Sequence, residues 1–224
     1  MANSLAKPVY IPDFCTRHMT TSTHRYFAIH KPYQMVSQFV SPDKVNLLGN
    51  LDFDFPEGTH AIGRLDNESE GLLLLTTNKK VTRLLFQGEV PHTRTYLVLV
   101  KNIVSQQTAD QMSRGVPITI QGGQTWVTSP CRVELADGPG DLVLPDIPGL
   151  SYPGMPQSWL RITLTEGKFH QVRKMVFAMH HRCKRLIRTS IEQIELGDLP
   201  PGGVRELEEE TFFRLLRIRN WRED

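Results

Sequence analysis

Residues 63–76 read Gly63-Arg64-Leu65-Asp66-Asn67-Glu68-Ser69-Glu70-Gly71-Leu72-Leu73-Leu74-Leu75-Thr76, a polar loop that leads into a short apolar run. Four consecutive leucines after a glycine predict a fully buried strand. Asp66 is therefore expected on a loop at the edge of the core, where burial can tune a carboxylate. Taken alone, the polar segment is equally typical of an ordinary turn, because Asp and Asn favour turns.

Two further stretches accompany this one. They are His30-Lys31-Pro32 upstream and Glu166-Gly167-Lys168-Phe169-His170-Gln171-Val172-Arg173-Lys174-Met175 downstream. Together with residues 63–76 they resemble the three motifs of pseudouridine synthases of the RsuA/RluE type. Their order and spacing also match, and the resemblance covers about residues 25–207.

The resemblance implies a reaction, a substrate and a set of catalytic residues. It implies that uridine is isomerised to pseudouridine in ribosomal RNA, with the large-subunit (23S-type) RNA preferred, and without a cofactor or a metal. It assigns Asp66 as the nucleophile and Tyr96 as the residue that stacks on the target base. It also places Arg173 beside Asp66 as its cationic partner. The target uridine must leave its stack to reach Asp66, so base flipping is expected.

The helix expected near residues 168–179 contains an apolar stripe with Arg173 close to it. Phe169, Val172, Val176 and Met179 recur at helical spacing. A guanidinium near a core needs a carboxylate partner, because an unpaired buried charge is costly. The spacing alone leaves the identity of that carboxylate open.

Residues 168–188 form a basic segment that contains no acidic residue. Clustered basic side chains are the usual electrostatic footprint of a phosphate-binding protein, although a charge run alone is more typical of a solvated helix face. With the resemblance, we expect RNA contacts from eight residues: Lys31, Arg64, Lys168, His170, Gln171, Lys174, Arg185 and Arg188.

The irregular alternation of strands and helices predicts an α+β fold. The resemblance implies a mixed, mainly antiparallel sheet in two halves, with flanking helices and a central catalytic cleft. Residues 1–23 are expected to form a loosely ordered arm. Residues 24–224 are expected to form a catalytic domain of two subdomains, without an S4-type RNA-binding domain.

Composition is consistent with a soluble globular protein. The chain has 224 residues, a net charge of +2 and three widely spaced cysteines. The cysteine spacing argues against disulfides and zinc sites and favours a reducing, cytoplasmic location. No apolar stretch approaches the length of about 18 residues that spans a bilayer, so no membrane partner is expected. We expect a monomer.

Two alternatives of other classes stay open at this point. The first is a ribosome-associated RNA-binding protein without catalytic activity, which would not need Asp66. The second is a metal-dependent nuclease that uses Asp66, Glu68 and Glu70 as ligands. The second alternative leaves the upstream and downstream motifs unexplained.

Overall fold

The computed structural model describes residues 24–88, 91–150 and 154–222. The strands in these ranges are β1 (Tyr26–Lys31), β2 (His60–Ile62), β3 (Glu70–Thr76), β4 (Arg94–Lys101), β5 (Pro117–Thr119), β6 (Thr125–Val127), β7 (Arg132–Ala136), β8 (Gln157–Leu164), β9 (Cys183–Ile191), β10 (Ile194–Glu195) and β11 (Val204–Leu207). The helices are α1 (Lys80–Phe86), α2 (Gln106–Ser113), α3 (Gln171–Ala178) and α4 (Glu209–Leu215). Residues 1–23, predicted to be a loosely ordered arm, lie outside the described ranges.

Most of the strands form one mixed sheet. Its order is β11-β1-β3-β9-β4-β8-β7, with β2 paired to β3 and β10 to β9, while β5 and β6 form a separate hairpin. The β3–β9 pair is parallel, and the neighbouring pairs in the sheet are antiparallel. The predicted α+β class with a mainly antiparallel sheet is confirmed. The division into two subdomains stays a prediction.

The leucine run forms the centre of one half of the sheet. Every residue of β3 is buried, as expected for a strand that is covered on both faces. Leu72 and Leu74 pack in a cluster that includes Phe212 of α4, and Leu73 packs on the opposite face in a cluster with Phe27. Burial of each such side chain contributes about 1.5–3 kcal/mol.

The other half of the sheet is covered by α2 and α3. Val172, Met175 and Val176 form the buried face of α3 and pack in a cluster with residues of β4 and β8. The predicted apolar stripe is wrong at Phe169, which is 67% exposed. The reason is local: the backbone of His170 is left-handed, with φ of 55°, so helical spacing does not extend back across it.

The two halves meet where β3 runs parallel to β9. Only two residue pairs form this ladder, Glu70 with Ile187 and Gly71 with Arg188. Gly71 has φ of 97°, and a Cβ atom there would collide with the carbonyl oxygen of Arg188. This close approach fixes the start of β3, and with it the loop that carries Asp66. None of the helices in the described ranges has both the length and the apolar character that a membrane span requires.

Candidate active site

A cleft of about 880 Å³ lies at this junction. It is bordered by the Asp66 loop, by β4, by β9 and by the segment that leads into α3. The predicted site residues that line it are Arg64, Asp66, Tyr96, Lys168, His170, Gln171 and Arg188.

Hydrogen bonds to the main chain hold Asp66 in place beside the cleft. The Ser37 hydroxyl donates to the carbonyl of Leu65 (2.8 Å) and accepts from the amide of Leu65 (3.0 Å). The amide of Ser69 donates to the carbonyl of Asp66 at 3.0 Å and closes a turn. Leu65 is buried, whereas the Asp66 side chain keeps 32% of its exposure. The carboxylate is thus fixed in position and still accessible to a substrate.

His170 is the residue that the structure brings to Asp66. Its Nε2 atom lies 3.4 Å from Oδ1 of Asp66. The imidazole stacks on the ring of Phe169, with ring centroids 3.8 Å apart and planes inclined by 19°. The sequence pointed to this histidine only as an RNA contact. Its left-handed backbone, which turns it toward the cleft, carried no recognisable signal in the sequence.

Arg173 does not pair with Asp66, so that prediction is wrong. Its Nη2 donates to the carbonyl of Glu68 (2.7 Å) and to the Ser69 hydroxyl (3.4 Å). Its Nη1 lies 3.9 Å from the Glu68 carboxylate and donates to the sulfur of Cys183. The guanidinium therefore braces the loop that follows Asp66. Helical spacing located Arg173 near this loop but could not resolve which residue of the loop it meets.

Arg188, unlike Arg173, lines the cleft. A register shift between Thr95 and Tyr96 places Tyr96 opposite Arg188, and such bulges re-aim side chains near functional sites. Arg188 is buried, and its Nε donates to the carbonyl of Leu72 at 2.7 Å. Its Nη2 is also buried and has no hydrogen-bond partner within the described part of the chain. A buried N–H group without a partner is costly, so it is suited to meet a substrate or a carboxylate.

Arg94 is a second cation of the cleft, and the sequence reasoning did not select it. Its Nη2 donates to the carbonyls of Thr165 and His92, while its Nε is buried without a partner in the described ranges. Burial lowers the pKa of Arg94. The available signal was its position two residues before Tyr96, which places both side chains on the same face of β4.

Three of the predicted RNA contacts are buried in structural roles, which argues against their direct contact with RNA. Lys31 is fully buried and its Nζ donates to the carbonyls of Pro32 (3.0 Å) and Met35 (2.5 Å). Burial lowers the pKa of Lys31 to about 8. Gln171 is held by Glu166, whose carboxylate accepts from its side-chain amide at 2.7 Å.

The third is Arg185, which forms a buried ion pair. Its Nε and Nη2 atoms donate to the two carboxylate oxygens of Glu70, each at 2.7 Å. Both side chains are almost fully covered. This pair also argues against the nuclease alternative, because Glu70 is committed to Arg185 and cannot share a metal ion with Asp66 and Glu68. In the described ranges, no three potential metal ligands come together.

Of the remaining predicted contacts, Arg64 and Lys168 line the cleft, and Lys174 lies over the ring of Phe169, which also lines it. Arg64 is exposed there. The Nζ of Lys168 lies 3.9 Å from the centroid of the Trp126 ring, and the Nζ of Lys174 lies 5.4 Å from that of Phe169. Cations at these distances from aromatic faces are attracted by the ring quadrupole. The rim therefore carries cations that phosphates can reach.

Known proteins resemble this chain over most of its length. A family model described as RNA pseudouridylate synthase matches residues 25–178. Ribosomal large subunit pseudouridine synthase E of Vibrio parahaemolyticus is 33% identical over 180 residues, covering 80% of this chain and 72% of that protein. Ribosomal small subunit pseudouridine synthase A of Escherichia coli is 30% identical over 189 residues, covering 84% and 72%.

A solved structure agrees with these relatives. The crystal structure of a pseudouridylate synthase matches with a TM-score of 0.67 and 25% identity, over 86% of this chain and 74% of the other. The chain belongs to the RNA pseudouridylate synthase family, and it is an isomerase of that class.

Proposed function

We propose that this enzyme converts uridine to pseudouridine in ribosomal RNA, with large-subunit RNA as its substrate, and that Asp66 starts the reaction. The proposal is supported chiefly by the accessible Asp66 carboxylate in a cleft that also contains Tyr96, His170 and Arg188. Relatives named for the large subunit match at 33% and 30% identity, and relatives named for the small subunit match at 30%. Because this margin is small, the test must include both RNAs.

The reaction breaks the bond between N1 of uracil and C1′ of ribose, and forms a bond between C5 and C1′. Two routes begin at the Asp66 carboxylate: attack on the sugar as a nucleophile, or removal of a proton from the sugar. Either route frees uracil, which turns until C5 faces C1′. In the first route C1′ is held as an ester of Asp66, and that bond breaks when C5 attacks C1′; in the second, the proton taken from the sugar is returned to it when C5 adds to C1′. In both routes C5 loses its proton and N1 gains one, so the product is an isomer and no oxidant or group donor is consumed.

The other side chains of the cleft have distinct proposed roles. Tyr96 stacks on the flipped uracil, as aromatic side chains do with unpaired bases. Arg188, rather than Arg173, is assigned as the cation that acts with Asp66, because it lines the same cleft and its buried Nη2 atom has no partner among the described residues. Arg173 is a positioning residue, since it contacts the loop that follows Asp66. We keep the proposals that the protein is a monomer and acts in the cytoplasm.

The substrate is tested by mapping pseudouridines in both ribosomal RNAs from cells that lack the gene. At least one large-subunit site should disappear and should return when the wild-type gene is restored. Loss of a small-subunit site alone would contradict the choice of RNA. Unchanged maps in both RNAs would contradict the ribosomal substrate.

Asp66→Asn should fail to restore the missing site and should slow single-turnover pseudouridine formation by about 10⁴-fold or more. The amide keeps the shape of the side chain but lacks the nucleophilicity of a carboxylate. RNA affinity should stay within about threefold of wild type, since no charge that binds phosphate is removed. The wild-type rate should be unchanged by a chelator, whereas chelator-sensitive RNA cleavage would favour the nuclease alternative.

A further inference from the structure

Phe169 is a large aromatic residue that the fold leaves in solvent at the rim of the cleft. Its side chain is 67% exposed, yet it lines the same cleft as Asp66. Exposure of one apolar side chain is common and needs no explanation by itself. The arrangement around this ring is what separates it from an ordinary exposed phenylalanine.

The ring of Phe169 is connected to the Asp66 carboxylate through the imidazole of His170. One ring face lies against the imidazole of His170 at 3.8 Å, and the Nε2 of that imidazole is 3.4 Å from Asp66. Phe169 is therefore one stacked layer away from the group that the target uridine must reach. The nucleotide next to the target uridine is therefore the part of the RNA strand that we expect to meet this ring.

Lysine side chains lie close to the Phe169 ring, where they can bind the phosphates of a single strand. The Nζ atom of Lys174 lies 5.4 Å from the centroid of the Phe169 ring, and Lys168 directly precedes Phe169 in the chain. Lysine carries a compact charge on a flexible stem, so its tip can move from the ring to a phosphate. The neighbouring Trp126, with Lys168 at 3.9 Å, repeats the same pairing of an aromatic ring with a cation. Proteins that bind unpaired strands combine aromatic platforms with basic grooves in this manner.

We infer that Phe169 is a stacking platform for the unpaired nucleotide adjacent to the target uridine, with Lys174 binding its phosphate. The inference rests on the proposed function for the identity of the neighbouring nucleotide, because it takes Asp66 as the point that the uridine reaches. The platform holds the strand while its neighbour is flipped. It therefore contributes to RNA affinity and to substrate positioning, and not to bond breaking.

Binding is tested first without any chemistry. Fluorescence anisotropy with a labelled single-stranded RNA of twelve uridines should show that Phe169→Ala binds about tenfold more weakly than wild type. Phe169→Trp should retain binding, whereas Phe169→Leu should resemble the alanine variant, because leucine is apolar but has no aromatic face. Phe177→Ala is the matched control: Phe177 is 75% exposed on α3 but is not among the residues that line the cleft, and its loss should change affinity less than twofold.

The position of the nucleotide is tested with a ribosomal RNA fragment around the mapped uridine. The fluorescent base 2-aminopurine, placed on either side of that uridine in turn, should be quenched on binding at one of the two positions. This quenching should be lost in Phe169→Ala and kept in Phe177→Ala.

Several results would overturn the inference: equal binding by the Phe169 and Phe177 variants, wild-type binding by Phe169→Leu, or no measurable binding of the twelve-uridine RNA by wild type. Failure of the proposed function is distinguishable, because it appears as unchanged pseudouridine maps while the anisotropy difference persists.

Discussion

The two ends of the basic segment, residues 168–188, have opposite environments although both were predicted to bind RNA. At its start, Lys168 lines the cleft and Lys174 lies over the Phe169 ring, and both are only partly buried; at its end, Arg185 and Arg188 are buried. The cause is the element that carries each end. Lys168 lies in the loop before α3 and Lys174 on α3, which covers the sheet with one face only, but β9 is a central strand between β3 and β4. A cluster of charges in a sequence therefore does not by itself indicate a surface.

The largest effect on stability is expected from Arg185. Arg185→Met strands the buried carboxylate of Glu70, which should lower the free energy of unfolding by about 3–5 kcal/mol. Arg182→Met, a control at an exposed arginine of the same segment, should change it by less than about 0.5 kcal/mol. Urea unfolding measures both. The double variant Glu70→Leu, Arg185→Met should recover most of the loss, and a single variant as stable as wild type would mean that the pair is not desolvated.

The next largest effect is expected from Arg188, the other buried arginine of β9. Arg188→Met removes a cation of the cleft and should slow single-turnover chemistry by about 100-fold, with Arg188→Lys intermediate. Arg173→Met should slow it by less than about tenfold, since Arg173 contacts the Glu68 carbonyl and not Asp66. Rapid-quench measurements at saturating RNA distinguish the two. If Arg173→Met lost more of the single-turnover rate than Arg188→Met, the result would favour the pairing of Arg173 with Asp66 that the motif resemblance implied.

The difference between these two arginines shows what the sequence can predict. The Asp66 loop and β3 are local features, because a polar turn and a leucine run lie next to each other in the chain. The contacts of Arg185 and Arg188 are formed by the parallel β3–β9 pair, which joins residues more than a hundred positions apart; Arg185 and Glu70 are separated by 115. No periodicity within a single segment contains that information.

The same reasoning explains the error at Phe169 and the success of the fold class. The class follows from the alternation of elements, which tolerates shifts of a few residues at each boundary. The orientation of Phe169 depends on one left-handed residue, His170, that separates it from α3. Helical spacing continued across His170 places Phe169 in the core, whereas in the structure its ring is exposed and lines the cleft.

Lys31 gives a smaller effect, visible in the pH dependence of stability. Its folded-state pKa of about 8 lies below the ordinary value of 10.5 because of burial. Below pH 8 both states hold the proton, so the cost of the buried charge is fully present. Between pH 8 and 10.5 the unfolded state binds more protons than the folded state, so the contribution of Lys31 to stability rises, by at most about 1.4 kcal/mol per pH unit.

The comparison of wild type with Lys31→Met isolates the pH-dependent contribution of Lys31 to stability. Because methionine does not titrate, the unfolding free energy of wild type minus that of the variant should increase from pH 7.5 to pH 10. Urea unfolding at the two values measures it. A difference that stays constant or shrinks would place Lys31 in contact with solvent, contrary to its buried position.

The smallest effect is expected from Lys174, near the start of the basic segment. Lys174→Ala should weaken binding of single-stranded RNA only a few-fold near physiological salt, because one phosphate contact is lost among several. The decisive quantity is the salt dependence: the slope of log K against log salt should become shallower by about 0.7, the value for one phosphate of a single strand.

The control for Lys174 is Lys79→Ala, at an exposed lysine outside the basic segment, whereas Lys174 lies over the Phe169 ring at the cleft; the slope of the control should equal that of wild type. Single-turnover chemistry at saturating RNA should be unchanged in both variants, because neither lysine contacts Asp66. If Lys174→Ala slowed chemistry at saturating RNA while its salt slope stayed at the wild-type value, Lys174 would act within the reaction site. The start and the end of the basic segment would then not differ in function, although they differ in burial.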